Sequence, residues 1–253
     1  MKLAENIKLL TIEREGEGVF NLVLAWDEKH LVLVDAGWPW QIDKIKEAIA
    51  NEGFHAENLT HIILTHQDPD HIGCVSELKK LAPNLKVVAH VDEAPYLDGR
   101  VLPIKLAAAL SRYETMPEKE RASYDLWKST YENDPISVTE PVQDGDILPI
   151  CGGIEIVHTP GHTPGHIAVC FKESRILVCG DAANIEDGKL VGFYPIYIHD
   201  MALAEKSLEK IKSHDISGIV AYHTGFLAVD DDVLAISQRI MEENQEAYEV
   251  LAR

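Results

Sequence analysis

The sequence feature that most constrains this chain is the nine-residue run Thr65-His66-Gln67-Asp68-Pro69-Asp70-His71-Ile72-Gly73. It places two imidazoles and two carboxylates within six residues, directly after the apolar run His61-Ile62-Ile63-Leu64, which predicts a short buried strand. Because Pro69 fixes its own φ and disfavours helix at the preceding residue, we expect a tight loop, with a helix beginning near His71. The end of a strand therefore delivers four possible ligands for zinc, iron or manganese to one point.

The acidic composition narrows the classes of partner. Lys and Arg number 23 against 42 Asp and Glu, which gives a net charge of −19. Such a surface repels phosphate backbones and anionic membranes, so we expect a small-molecule substrate and no nucleic-acid or membrane partner. The N-terminal residues lack the apolar segment of a secretory signal, and no apolar run approaches the roughly 18 residues of a membrane helix. We therefore expect a cytoplasmic protein, with a homodimer left open.

The four cysteines are predicted to be packing residues. Cys74, Cys151, Cys170 and Cys179 form no Cys-x-x-Cys pair, and the last two fall in runs that predict buried strands. We expect small core residues rather than metal or redox groups.

Hydrophobic periodicity predicts alternating strands and helices. Val19–Ala25 and His30–Val34 flank a polar tip and predict a hairpin. Apolar residues at helical spacing predict helices over residues 40–52, 72–82 and 200–212. Further strands are predicted over residues 86–89, 147–150, 153–158, 166–171, 175–179 and 218–222, and a closing helix over residues 233–251.

A helical insertion is predicted over about residues 94–135. Four prolines punctuate this stretch, and segments 104–112 and 118–131 have helical composition. Two roles stay open: a lid that shapes the substrate pocket, or a helical pair that covers a sheet edge or makes a dimer contact.

Two features after the predicted hairpin also have alternative interpretations. Asp35 leaves the second strand into a glycine turn, where it either orients a neighbouring ligand or caps the turn. Trp38 and Trp40 either wall a cleft or pack against the next helix.

Further metal-competent side chains follow later strands: His162 and His166 in Thr159–His166, Asp181 after residues 175–179, and His223 after residues 218–222. Strand C-terminal ends are where α/β folds usually place their chemistry. The whole set resembles the metallo-β-lactamase fold superfamily. Its signature is Thr-His-x-His-x-Asp-His, then a His in a Thr-Pro-Gly-His-Thr turn, an Asp after a strand, and a late His. The matching residues here are Thr65–His71, His162, Asp181 and His223.

The resemblance implies a single domain over residues 1–253 with an αββα sandwich, in which two mixed β-sheets lie face to face with helices outside. It also implies two divalent metal ions. The implied ligands are His66, Asp68 and His162 for one ion, Asp70, His71 and His223 for the other, and Asp181 between them. His166 is expected to be a hydrogen-bonding neighbour. Structural roles are expected for His90, His158 and His199.

The chain departs from the family's commonest signature at one position, where Asp68 replaces the second His. An anionic oxygen in place of a nitrogen favours iron or manganese more than an all-His site does. The resemblance implies a hydrolase in which a hydroxide bridging two metals attacks an ester, thioester, lactone or β-lactam, with Asp70 or a metal-bound water protonating the leaving group. The alternative is a di-iron, oxygen-reactive protein that resembles the metal domain of flavodiiron proteins.

Two tyrosines that follow Asp181 in the chain have alternative interpretations. Tyr194 and Tyr197 either approach a developing oxyanion or serve only in packing.

Overall fold

The computed structural model describes residues 1–14, 18–133 and 135–229. Fifteen strands lie in the described residues: β1 (Lys2–Ala4), β2 (Ile7–Arg14), β3 (Gly18–Trp26), β4 (Leu31–Val34), β5 (His61–Ile63), β6 (Lys86–His90), β7 (Glu140–Val142), β8 (Ile147–Leu148), β9 (Ile154–His158), β10 (Ile167–Phe171), β11 (Ile176–Val178), β12 (Asn184–Glu186), β13 (Lys189–Val191), β14 (Gly218–Ala221) and β15 (Gly225–Ala228). The α-helices of the same residues are α1 (Ile42–Asn51), α2 (Pro69–Ile72), α3 (Val75–Leu81), α4 (Ala94–Leu97), α5 (Ile104–Leu110), α6 (Glu118–Asn133) and α7 (Met201–Lys212). The closing helix predicted over residues 233–251 lies outside the described residues.

The first sheet contains β1 to β7 in sequence order. Strands β1 to β4 are antiparallel, and the predicted hairpin is confirmed as β3 and β4, with Val23 opposite Val34. Strands β4 to β7 are parallel, joined by connections that contain helices. The carboxyl ends of β4, β5 and β6 therefore meet at one edge of this sheet.

The second sheet has the strand order β15-β14-β11-β10-β9-β8. Its strands are antiparallel except for β11 and β14, which run parallel because α7 lies between them in the chain. Strands β12 and β13 form a separate hairpin.

Side-chain alternation explains how the sheets stack. Val34 and Ile63 point into a core shared with Ile156 and Val169 of the second sheet. Their neighbours along the same strands point the opposite way, because successive side chains leave opposite faces of a strand. Leu33, for example, packs in the core formed with α1 and α3.

The outer face of the second sheet packs against α7. Leu208 and Ile211 of this helix share a core with Leu177 and Ile219. Burying each such side chain stabilises the fold by about 1.5–3 kcal/mol. The predicted αββα sandwich, two mixed sheets with helices outside, is confirmed.

Helices α4, α5 and α6 lie between β6 and β7, where the helical insertion is predicted. Leu97, Leu106, Tyr124 and Tyr131 from these helices join the core on the outer face of the first sheet. The insertion is therefore packed onto the sandwich.

Three cysteines, Cys74, Cys170 and Cys179, are buried, and Cys151 is half-buried in a turn. Burial raises the pKa of the Cys74 and Cys179 thiols to about 12, as expected for packing residues. Among the helices that the structure describes, none is both long and apolar enough to traverse a bilayer.

Candidate metal centre

The loop after β5 turns directly into a helix. Helix α2 begins at Pro69, two residues earlier than predicted, because proline at the first helical position already has a helical φ and lacks only an amide hydrogen that the helix would leave unpaired. Asp68 precedes it in an extended conformation, and its carbonyl oxygen accepts hydrogen bonds from the backbone of His71 and Ile72. Loop and first turn together present four side chains to one edge of the sandwich.

The structure brings all seven predicted ligands together in two groups. Within each group the possible ligand atoms lie within 4.8 Å of one another. The first group contains His66, Asp68, His162 and Asp181, and the second contains Asp70, His71 and His223. The resemblance implies the same two triads with Asp181 between them, and metal ligation by these residues remains a prediction.

Asp181 lies between the two groups. Its Oδ2 is 3.5 Å from Nε2 of His162 in the first group and 3.5 Å from Nε2 of His223 in the second. Its Oδ1 is 3.4 Å from Nε2 of His71. This carboxylate therefore faces both groups at once.

The residues present fit divalent cations. His66 Nε2, His71 Nε2 and Asp181 Oδ1 are buried and have no hydrogen-bond partner among the described residues. A buried polar atom left unpaired costs about 1–3 kcal/mol. Imidazole nitrogens and carboxylate oxygens are ligands for zinc, iron and manganese, so a bound cation would satisfy these atoms.

Asp35 orients the histidines of the ligand loop. Its carboxylate accepts hydrogen bonds from the backbone and hydroxyl of Thr65 and from Nδ1 of His71, all at 2.9 Å. The hydroxyl of Thr65 also lies 3.0 Å from His66 Nδ1. With Nδ1 of both rings engaged, each Nε2 lone pair faces the groups described above. Of the two interpretations open for Asp35, orientation of a ligand therefore agrees with the structure.

His166 is buried outside both ligand groups. Its Nε2 accepts a hydrogen bond of 3.1 Å from the backbone of Asp181, so its Nδ1 donates to the hydroxyl of Thr159 at 2.8 Å. The residue positions Asp181 through the backbone, which agrees with the predicted role of hydrogen-bonding neighbour.

The turn that carries His162 lies against α7. Gly161 has a φ of 138°, and a Cβ there would stand 2.4 Å from Cα of Ala204. Its carbonyl oxygen accepts hydrogen bonds from the backbone of His199 and Asp200. Glycine is therefore required for the close approach that places His162.

Lys105 of α5 is a site residue that the sequence analysis missed. Its Nζ forms an ion pair with Oδ2 of Asp68 and lies 3.2 Å from Nε2 of His162. Burial acts upward on the pKa of Asp68, but this ammonium, His66 and His162 together outweigh burial and hold the pKa well below its usual range. No motif marks Lys105, because it enters the site from the insertion, 37 residues away from Asp68.

Glu93 is a second residue that was missed. It is fully buried and accepts hydrogen bonds from Gln67 Nε2 at 2.8 Å, from the backbone of Gly165 at 2.9 Å, and from the hydroxyl of Thr163. It thereby joins the loop after β5 to the turn that carries His162. Burial raises the pKa of Glu93 to about 7.

The electrostatics of the other ligand candidates differ between the groups. Burial lowers the pKa of His66 to about 4, so this imidazole is neutral and able to ligate at pH 7. Burial raises the pKa of Asp70. For His71 burial acts downward, but the carboxylates of Asp181 and Asp35 outweigh it and raise the pKa well above the usual value.

The aromatic candidates fall at or beyond the rim of the site. Tyr194 is exposed, and its hydroxyl donates to Glu186 at 2.5 Å, away from the ligand groups. Tyr197 is also exposed, with Lys105 Nζ 5.5 Å from its ring centroid.

Trp38 and Trp40 stack on each other, with their ring centroids 4.9 Å apart. Trp38 also packs against the core that contains α1, which agrees with the packing alternative for this residue.

The histidines without motif support lie outside the two groups. His90 and His158 stack at 4.0 Å, and with Asp92 they form a third grouping of possible ligand atoms within 4.8 Å. His158 Nε2 donates to the carbonyl oxygen of Pro164, and His90 Nδ1 accepts from the backbone of Asp92. His199 is exposed.

Comparisons with known proteins agree with this geometry. A family model described as the metallo-beta-lactamase superfamily matches residues 16–223. A probable metallo-hydrolase of Bacillus subtilis (strain 168) is 29% identical over 196 residues, which cover 74% of this chain and 68% of that relative. A hydroxyacylglutathione hydrolase of Rhodopseudomonas palustris (strain BisB18) is 30% identical over 197 residues, 77% of this chain and 59% of that relative.

Among solved structures, a metallo-beta-lactamase family protein from Thermus thermophilus matches with a TM-score of 0.76 at 23% identity, covering 99% of this chain and 83% of that one. Across three of the curated relatives the aligned part spans between 48% and 68% of their length.

Proposed function

Because the chain belongs to the metallo-beta-lactamase superfamily, we propose that it is a hydrolase that uses two divalent cations to cleave an ester, thioester or lactone. The observation that supports this most directly is the convergence of four histidines and three aspartates from separate strand ends, with three of their buried polar atoms unpaired within the described residues. The residues that would hold one cation are His66, Asp68 and His162, those for the other are Asp70, His71 and His223, and Asp181 would contact both.

The chemistry divides between the cations and the chain. When bound, the cations would polarise a carbonyl oxygen and make water nucleophilic near pH 7. Asp35 and His166 hold His71 and Asp181 in their orientations. Asp70, which lies beside His223 in the second group and is partly exposed, is the carboxyl group proposed to pass a proton to the leaving group.

The similarity to a hydroxyacylglutathione hydrolase supports hydrolysis over other reactions. The class of substrate remains a proposal, since the alignment covers 59% of that relative. The net charge of −19 supports a small molecule over a nucleic acid.

The proposal is tested by loading the full-length chain with zinc, iron or manganese, counting bound metal by elemental analysis, and measuring turnover on a panel of esters, thioesters and lactones. We expect about two equivalents of metal and turnover with at least one cation. His162→Ala should lose metal and activity, whereas the matched control His199→Ala, exposed and outside both groups, should keep both. A fully loaded protein that cleaves no member of the panel would contradict the proposal.

The proton role of Asp70 has a separate test. Asp70→Asn should lower kcat by about 100-fold or more, the usual contribution of a positioned proton donor. Metal content of the variant is measured in parallel. A variant that keeps both metals and full turnover excludes Asp70 as the donor.

Asp68 favours a second candidate function, an oxygen-reactive di-iron protein. Its carboxylate stands where the family's commonest signature has a histidine, and oxygen ligands suit iron and manganese. Two bound irons together with oxygen consumption in the presence of an electron donor would favour this candidate. Carbonyl hydrolysis by the zinc or manganese form would favour the hydrolase.

A further inference from the structure

A cavity of about 410 Å³ lies between α5 and α6. Its wall is mostly apolar: Leu106 and Ala109 come from α5, Met116 from the connecting turn, and Tyr124 and Trp127 from α6. The volume falls in the range of small-molecule sites, about 300–1,000 Å³. The cavity can therefore hold the apolar part of a small ligand.

Lys105 connects this cavity to the metal centre. It lines the cavity, and its Nζ contacts Asp68 and lies 3.2 Å from Nε2 of His162. Lys105 therefore lies between the cavity and the candidate ligands of the first cation. None of the residues that line the cavity belongs to either ligand group.

The cavity carries positive charge in a strongly acidic chain. Arg112 and Lys119 line it together with Lys105, against Glu120 in the lining and against Asp68, which pairs with Lys105. Arg112 lies 3.9 Å from Glu120, but no carboxylate of the described residues forms an ion pair with Lys119. Because the whole chain has a net charge of −19, an excess of positive charge at this cavity, with Lys119 unpaired among the described residues, favours an anionic ligand.

The positions of these cations define the shape of the ligand. Lys105 lies in the first turn of α5 and Arg112 in the turn that follows its last residue, so the two side chains leave from opposite ends of a helix roughly 10 Å long at about 1.5 Å per residue. The wall between them also contains a polar atom without a partner. The hydroxyl of Tyr124 is buried and makes no hydrogen bond within the described residues. The arrangement matches an apolar body with an anionic group at the end remote from the metal centre.

We propose that this cavity binds the acyl part of the substrate, and that this acyl part is an aliphatic or aromatic chain ending in a carboxylate. The scissile carbonyl would then lie beside Lys105, and the remote carboxylate beside Lys119 and Arg112. The placement of the scissile bond rests on the proposed function. Binding of a ligand in the cavity does not rest on the proposed function, because the lining residues lie outside the ligand groups and only Lys105 contacts those groups.

The test uses octanedioate as the probe, with octanediol as its uncharged counterpart. Binding to the full-length chain is measured by calorimetry and tryptophan fluorescence, as purified and after chelation of metal. We expect octanedioate to bind in both samples and octanediol to bind about three- to tenfold more weakly, as expected for the loss of exposed ionic contacts. Trp127→Phe should remove the fluorescence change while calorimetry still reports binding.

Two pairs of variants locate the site. Ala109→Phe fills the cavity and should weaken binding by about tenfold or more, whereas Ala108→Phe, exposed on the same helix, should not. Lys119→Glu should weaken octanedioate binding by about three- to tenfold, whereas Lys128→Glu on the same helix should leave it unchanged. Circular dichroism checks that each variant is folded.

The results separate this inference from the proposed function. Absence of octanedioate binding, loss of binding on chelation, or equal binding by both phenylalanine variants would overturn the cavity assignment. Binding with the expected pattern in a protein that hydrolyses no ester or thioester would sustain the cavity while the hydrolase proposal fails.

Discussion

Replacing Glu93 with glutamine removes a buried carboxyl group that joins the two loops of the metal centre. The glutamine carbonyl can still accept from Thr163 and from the backbone of Gly165. Its amide group faces Gln67 Nε2, which is also a donor, so the hydrogen bond of about 1 kcal/mol that the carboxylate oxygen accepts there is lost. The informative quantity is therefore the pH dependence of the difference between the two proteins.

The sign of that dependence follows from the raised pKa. Folded Glu93 has a pKa of about 7, above its ordinary value of 4.5 in an unfolded chain. Between these values the unfolded chain releases a proton that the folded protein keeps. The stability that the wild-type protein gains from this group is thus fully present below pH 4.5 and is lost as the pH rises through 7. The difference corresponds to roughly 3 kcal/mol, of which about 2.5 kcal/mol falls between pH 5 and pH 8.

The assay is equilibrium urea unfolding of the wild-type and Glu93→Gln proteins, both free of metal, across pH 5 to pH 8. The free energy of unfolding of the wild type, minus that of the variant, should fall by about 2–3 kcal/mol over this range. Glu57→Gln, an exposed position, serves as the control and should remain parallel to wild type. Parallel curves for wild type and Glu93→Gln would refute a buried, proton-binding Glu93.

Three further substitutions test the contacts around the ligands. Asp35→Asn should weaken metal binding by about 10–100-fold, measured by competition with a chromophoric chelator, because it disturbs the acceptor of His71 Nδ1. Lys105→Met should strengthen metal binding by about three- to tenfold in the same assay, because no ammonium then competes for Asp68; unchanged affinity would contradict the competition. Asp68→His should raise the ratio of zinc to iron in protein grown with both metals, and an unaltered ratio would show that this ligand does not set the preference.

The parts of the fold that the sequence predicted are those encoded by short-range patterns. The hairpin of β3 and β4 alternates clearly, and the ligand loop, which follows a strand, places four side chains within six consecutive residues. Other strands escaped prediction for physical reasons. Strand β7 (Glu140–Val142) is three residues long with a central proline, so it has too few residues to show alternation. The hairpin of β12 and β13 was detectable, since Asp187-Gly188 is a typical two-residue hairpin turn.

The candidate site also contains residues that the sequence predicted and residues that it did not. His66, Asp70 and the other ligands sit in motifs or directly after strands, so their convergence follows from the topology of the sheets. Glu93 and Lys105 follow no motif and act through contacts with residues 26 and 37 positions distant. Their roles depend on how α4 and α5 pack over the sheet edge, which no local pattern specifies.

The ion pair between Lys105 and Asp68 couples two binding equilibria: cation binding at the first ligand group, and anion binding at the cavity formed by the helical insertion. A cation that binds to the first group competes with the Lys105 ammonium for Asp68 and His162. The free energy of cation binding is therefore reduced by the cost of displacing the Lys105 side chain. An anion that draws the ammonium toward the cavity must raise cation affinity by the same factor by which the cation raises affinity for that anion. Affinity measured for either one alone therefore understates what both achieve together.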